Sequence, residues 1–145
     1  MTLRRTLQGL LALSFAGLGI SVYLAFEYLT GGTPICSGSS GCSQVQLSPY
    51  AWIGPIPIPV LGAVVYVALI VLAALALTRP EQQPLVVLAL FGISLAGVLF
   101  SAYLTYLELF VIIAICKWCV GSAVVMTLIF VLAILAYRQS AAESA

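Results

Sequence analysis

The chain has 145 residues, 63% of them hydrophobic and 6% charged, with a mean hydropathy of +1.23. Soluble domains carry roughly 25% charged residues, so a water-soluble globule is excluded, and a net charge of +1 supplies no basic patch for nucleic acid. The sequence contains no His, Asp or Asn, which excludes His-ligated haem, His-based zinc sites, Ser-His-Asp catalysis and N-glycosylation.

The first apolar run covers about residues 7–29 and follows Arg4 and Arg5. A cleaved signal peptide also places basic residues before an apolar run. This run is longer than a typical signal core and shows no clear cleavage site, so a spanning helix is expected. A span needs about 20 apolar residues. Thr30-Gly31-Gly32-Thr33-Pro34 ends the run. Cys36-Ser-Gly-Ser-Ser-Gly-Cys42 follows, small and flexible in composition. Residues 43–51 are expected to form a short helix at the membrane interface, a depth that suits Tyr50 and Trp52. Prolines then alternate in Gly54-Pro55-Ile56-Pro57-Ile58-Pro59. Proline fixes φ and pushes its neighbour toward extended conformations. This stretch should run extended into a second span over residues 59–77, with Pro59 in its first turn.

Thr78-Arg79-Pro80-Glu81-Gln82-Gln83-Pro84 reads as a polar turn. A third span is expected over residues 85–107, a tight turn near Glu108 and a fourth span over 109–137. The result is an all-α integral membrane four-helix bundle forming one domain over residues 1–145. Arg4, Arg5, Arg79 and Arg138 all fall on one side of this layout. Positive residues mark the cytoplasmic side, so both termini are expected there and the loop with Cys36 and Cys42 outside. Lys117 is the one cation of the outer half.

The first and third spans share a pattern. Ser14, Gly17 and Ser21 precede Tyr23-Leu24, and Ser94, Gly97 and Ser101 precede Tyr103-Leu104. Small faces of this kind allow close helix approach. Tyr23, Tyr103 and Tyr106 suit an interfacial belt, with pocket lining as the alternative. Glu27 and Glu108 suit solvated helix ends, and Lys117 can snorkel outward.

The reactive residues are two cysteine pairs. Cys36 and Cys42 lie in the outer loop, and Cys116 and Cys119 form Cys-Lys-Trp-Cys in the last apolar run. Four cysteines allow three connectivities. With a helix starting at Leu109, Cys116 would lie about 10 Å along it, in the outer leaflet. One pair then faces water and the other lipid. Thiol–disulfide exchange through a mixed disulfide would join them as a relay. A quinone, which takes two electrons and two protons, matches one dithiol. A nearby cation favours thiolate, so Lys117 is a candidate activator of Cys119. Duller readings stand beside this one: a disulfide staple, buried cysteines as packing, or four thiolates on zinc.

This combination resembles the vitamin K epoxide reductase family. The resemblance rests on Cys36 and Cys42, Ser48 six residues later, Leu95-Ala96-Gly97-x3-Ser101-x-Tyr103-Leu104, and Cys116-Lys-Trp-Cys119. It spans nearly the whole chain. It implies a four-helix bundle around a quinone (menaquinone, ubiquinone or vitamin K type), with no metal and a loop helix over the pocket. Carried over, Cys119 contacts the quinone, Cys116 exchanges with Cys42, and Cys36 pairs with Cys42 and meets the redox partner. Ser48 supports the loop. Tyr66, Tyr103 and Ala123 are the quinone-pocket candidates. Two positions depart from the vertebrate enzymes: Ala123 replaces a Tyr, and Ile58 replaces an Asn, both associated with vitamin K head-group recognition. The resemblance therefore favours the bacterial branch, in which a thioredoxin-like (DsbA-like) protein is reoxidised and disulfides form in exported proteins. With the chain ending at Ala145, that partner is expected to be separate. Reduction of vitamin K or its epoxide is the alternative activity. A disulfide-stapled scaffold without catalysis is the alternative from another class.

Overall fold

The computed structural model describes residues 3–30, 52–53, 56–111 and 117–144. Four long helices dominate it: α1 (Leu3–Thr30), α2 (Ile58–Thr78), α3 (Gln83–Tyr106) and α4 (Lys117–Ser144). Each is long and apolar enough to cross a membrane. In lipid every backbone polar group must be satisfied inside the segment, which makes helices the economical solution for such runs. The side-chain hydroxyls follow the same rule. Ser14 donates to the Leu10 carbonyl, Thr78 to Ala74, Thr105 to Ser101 and Thr127 to Ala123, at 2.8–2.9 Å.

A two-residue antiparallel ribbon precedes α2. In it β1 (Trp52–Ile53) pairs with β2 (Ile56–Pro57), Trp52 opposite Pro57 and Ile53 opposite Ile56. Pro57 is extended at φ −71°, ψ 146°, as the alternating prolines require. Pro59 sits in the first turn of α2, where its missing N–H costs no helical bond. The turn between α2 and α3 is closed by polar atoms. The Arg79 amide donates to Leu75 at 2.8 Å, and the Gln83 side-chain amide donates to Ala76 at 3.0 Å, satisfying the last carbonyls of α2. A 3-10 turn over Pro80–Gln82 leads into α3.

The helices form a ring in which α1 packs on α2 and α4, and α3 packs on α2 and α4. Buried residues recur at three- and four-residue steps: Leu3, Leu7 and Leu10 on α1; Tyr66, Leu69, Ala73 and Ala76 on α2; Met126, Ile129, Ala133 and Ala136 on α4. This is the stripe of a helix with one inward face. The alanines keep the backbones close, as membrane helix contacts prefer. Large apolar side chains such as Phe15, Val64, Leu99 and Val124 point outward, which suits a lipid surround. The bundle is therefore inside-out relative to a soluble one only on its exterior; its core is packed in the ordinary way.

Contacts fix the levels. Gly17 meets Tyr66 and Gly62 meets Ser21, so α1 and α2 run antiparallel, and the same register places Arg79 beside Arg4. At that end the Thr6 hydroxyl donates to the Gln139 side-chain oxygen at 3.0 Å, clasping α1 to α4. All four arginines therefore gather at one end, and Lys117 and Cys119 lie at the other.

The third span runs on past its expected end near Leu107. A π-helical turn over Leu107–Val111 continues α3, and α4 is described from Lys117. The tight turn expected at Glu108 is replaced by this π turn. Residues 112–116 lie outside the described part, as do residues 31–51 with the expected interfacial helix.

Candidate functional site

Cys119 lies on α4, two residues beyond Lys117, where the described part of that helix opens. The depth of the Cys116–Cys119 pair along the helix turns on residues 112–116, which lie outside the described residues. Lys117 is exposed in the same turn.

Cys119 is partly buried. Together with Ile20, Tyr23 and Trp118 it packs against Leu24, which is 3% exposed. The Tyr23 and Trp118 rings meet at a centroid distance of 5.0 Å and a tilt of 42°, within the range where aromatic pairs attract. Both α1 and α4 thus contribute an aromatic wall beside the sulfur.

One turn further along α4, Ser122 meets Tyr66. The Tyr66 hydroxyl donates to the Ser122 carbonyl at 3.1 Å and lies 2.9 Å from the Ser122 hydroxyl. Tyr66 comes from α2 and reaches across the ring to α4. Its side chain is 1% exposed. The reach requires Gly17: a Cβ there would lie inside the Tyr66 ring.

The next residue, Ala123, lines a cleft of about 320 Å³ with Thr105, Val120, Val124, Thr127 and Leu128. The hydroxyls of Thr105 and Thr127 donate to their own helices, so the cleft presents a largely apolar wall. The three pocket candidates occupy three places. Ala123 is on the cleft, Tyr66 is in the core, and Tyr103 is exposed on α3 with its ring 6.4 Å from Phe100. Cys36, Cys42, Ser48 and Cys116 lie outside the described residues.

Sequence reasoning took the Gly17 and Gly97 faces as surfaces for helix approach. In the structure Tyr66 is seated on Gly17 and Met126 on Gly97, while Gly62 of α2 stands 3.1 Å from the Ser21 hydroxyl in Cβ terms, so the α1 face of Ser14, Gly17 and Ser21 is one that α2 approaches closely. Ser122 was missed altogether. The signal for it was Tyr66 itself, since a phenol in the middle of an apolar span must find a partner.

These features define a four-span membrane bundle with a cysteine toward one end of the last span, near an aromatic pair. The chain matches the family model described as Vitamin K epoxide reductase family over residues 9–134, and it belongs to that family. It is accordingly an integral membrane oxidoreductase, of a family whose members use quinones.

Proposed function

We propose that this protein carries electrons from a thioredoxin-like protein through Cys36/Cys42 and Cys116/Cys119 to a membrane quinone, and so supports disulfide formation in exported proteins. The observation that carries the reading is Cys119 on the last span, packed together with Tyr23 and Trp118 around Leu24.

The electron balance is simple. The partner's dithiol reduces the Cys36–Cys42 disulfide and becomes a disulfide. The resulting Cys42 thiolate attacks Cys116 of a Cys116–Cys119 disulfide, forming a mixed disulfide and releasing the Cys119 thiolate. Cys36 resolves the mixed disulfide and frees Cys116. The Cys116/Cys119 dithiol then closes to a disulfide and gives up two electrons and two protons, which the quinone accepts to become a quinol. Cys119 is the thiol on the quinone side, and Ser48 supports the loop.

The cleft beside Ala123 supports an apolar guest. It is an open groove of about 320 Å³ with a largely apolar lining. Its wall at Ala123 offers a methyl group where the vertebrate enzymes carry a Tyr, which supports the bacterial branch of the resemblance. Tyr66 acts beneath this wall, and Tyr103 stands at the membrane-facing surface of α3. The arginines at one end support an orientation with both termini in the cytoplasm and Cys119 toward the outer face.

The test is quinone reduction by purified protein in lipid, with a reduced thioredoxin-like protein as donor. Wild type should turn over, and Cys119→Ala, Cys116→Ser and Cys42→Ser should not. A folded wild type that reduces neither a benzoquinone nor a naphthoquinone would leave the cysteines as staples.

A further inference from the structure

We infer that Tyr66 is a positioning residue for the Cys119 thiol, acting through Ser122. This rests on the proposed redox role of Cys119 and adds the device that holds the sulfur in place.

Consider what holds the Cys119 segment of α4 in place: its contacts with the neighbouring helices. On the α1 side those contacts are the Leu24 cluster. Toward α2, which stands diagonally across the ring, Tyr66 supplies the link. Its hydroxyl meets both oxygens of Ser122, and Ser122 lies one turn, about 4.5 Å of helix rise, beyond Cys119. One side chain therefore ties α2 to α4 just below the sulfur.

The hydrogen-bond geometry makes the tie stiff. With the Tyr66 proton given to the Ser122 carbonyl, the 2.9 Å contact is filled by the Ser122 proton given to the Tyr66 oxygen. Both hydroxyl protons are then used within the pair. In an apolar surround an unmade hydrogen bond is costly, so the pair resists separation. The ring itself cannot slide away from α4, because it is seated over Gly17 of α1 and is 1% exposed. Tyr66 thus registers three helices at once.

Ser122 also sits between Cys119 and Ala123. Movement of Ser122 would shift the thiol and the cleft wall together. A displacement of about 1 Å at a reacting atom can cost up to 100-fold in rate, so the brace matters to turnover more than its share of stability suggests.

The test uses Tyr66→Phe, which keeps the ring in its Gly17 seat and removes only the hydroxyl. Two readouts are taken in lipid. The first is quinone reduction, split into kcat and KM. The second is the rate at which N-ethylmaleimide alkylates Cys119 in a protein whose other three cysteines are serine, with and without Tyr66→Phe. The expected result is a kcat about tenfold lower with little change in KM, and a severalfold change in the alkylation rate, in a protein that still unfolds cooperatively. Ser122→Ala, which retains the carbonyl acceptor, should give a smaller effect in the same direction, and the double variant should be no worse than Tyr66→Phe alone. Unchanged kcat and unchanged alkylation in Tyr66→Phe would overturn the inference. So would additive losses in the double variant. If wild type shows no quinone reduction, the alkylation arm still reads the position of Cys119, so failure of the redox role and failure of the brace are told apart.

Discussion

The sulfur of Met126 lies 2.8 Å from the point where a Cβ would stand on Gly97, and the Tyr66 ring occupies the corresponding point on Gly17. The two sites come from the same local pattern in α3 and α1, yet they differ in what fills them. A thioether has three rotatable bonds and adapts to intrusion. A tyrosine ring held at its hydroxyl does not. Gly17→Ala should therefore destabilise the bundle by about 1–3 kcal/mol, the usual range for overpacking. Gly97→Ala should be milder, because Met126 can move and alanine favours the helix by about 1 kcal/mol over glycine. Unfolding of both variants in detergent, against wild type, checks the order. Equal losses would mean that the methionine is as fixed as the tyrosine.

The wall beside Cys119 gives a second expectation. Trp118 is paired with Tyr23, and both pack against Leu24 beside the thiol. An aromatic pair contributes about 0.5–1.5 kcal/mol beyond its buried area. Trp118→Ala should lower stability by at least that much and expose Cys119, raising its alkylation by a lipid-soluble maleimide. Trp118→Phe should recover most of both. Stability loss without any change in alkylation would show that the wall packs the helices but does not shield the sulfur.

The four-helix architecture was legible in the sequence because lipid imposes it: long apolar runs, punctuated by Arg79-Pro80 and the alternating prolines, leave little else to build. The end of α3 was not legible. Leu109 to Ile115 is apolar throughout, so hydropathy has no boundary to detect, and the π turn over Leu107–Val111 carries no sequence signal of its own. The Tyr66–Ser122 pair was hidden for a different reason. It joins residues 56 apart in the chain, and no periodicity links a single tyrosine to its partner. The small faces around Gly17 and Gly97 were visible as patterns, but glycine does not reveal whether a backbone or a side chain will fill the space.

At the arginine end, Thr6 is fully buried and its hydroxyl donates to Gln139 at 3.0 Å. A hydrogen bond of this kind contributes about 0.5–1.5 kcal/mol net. A double-mutant cycle on Thr6→Val and Gln139→Leu should show coupling of that size, because each single change removes the bond between them. The double variant should be more stable than the sum of the single losses implies. Simple additivity, measured by unfolding in detergent, would mean that the two groups find other partners when separated.

Orientation is open to direct measurement. Arg4, Arg5, Arg79 and Arg138 share one end of the bundle, and the α2–α3 turn with exposed Glu81 lies among them. If positive residues hold this end in the cytoplasm, a cysteine at Glu81→Cys, in a protein whose own cysteines are serine, should be silent to a membrane-impermeant maleimide applied to intact cells or spheroplasts. It should label once the membrane is opened. The outer end provides the control, since Leu29→Cys, exposed at the far end of α1, should label from outside where it clears the lipid. Labelling of Glu81→Cys in intact cells would invert the protein. Cys119 would then deliver its electrons toward the cytoplasmic face, and a disulfide-forming role for exported proteins would be lost with it.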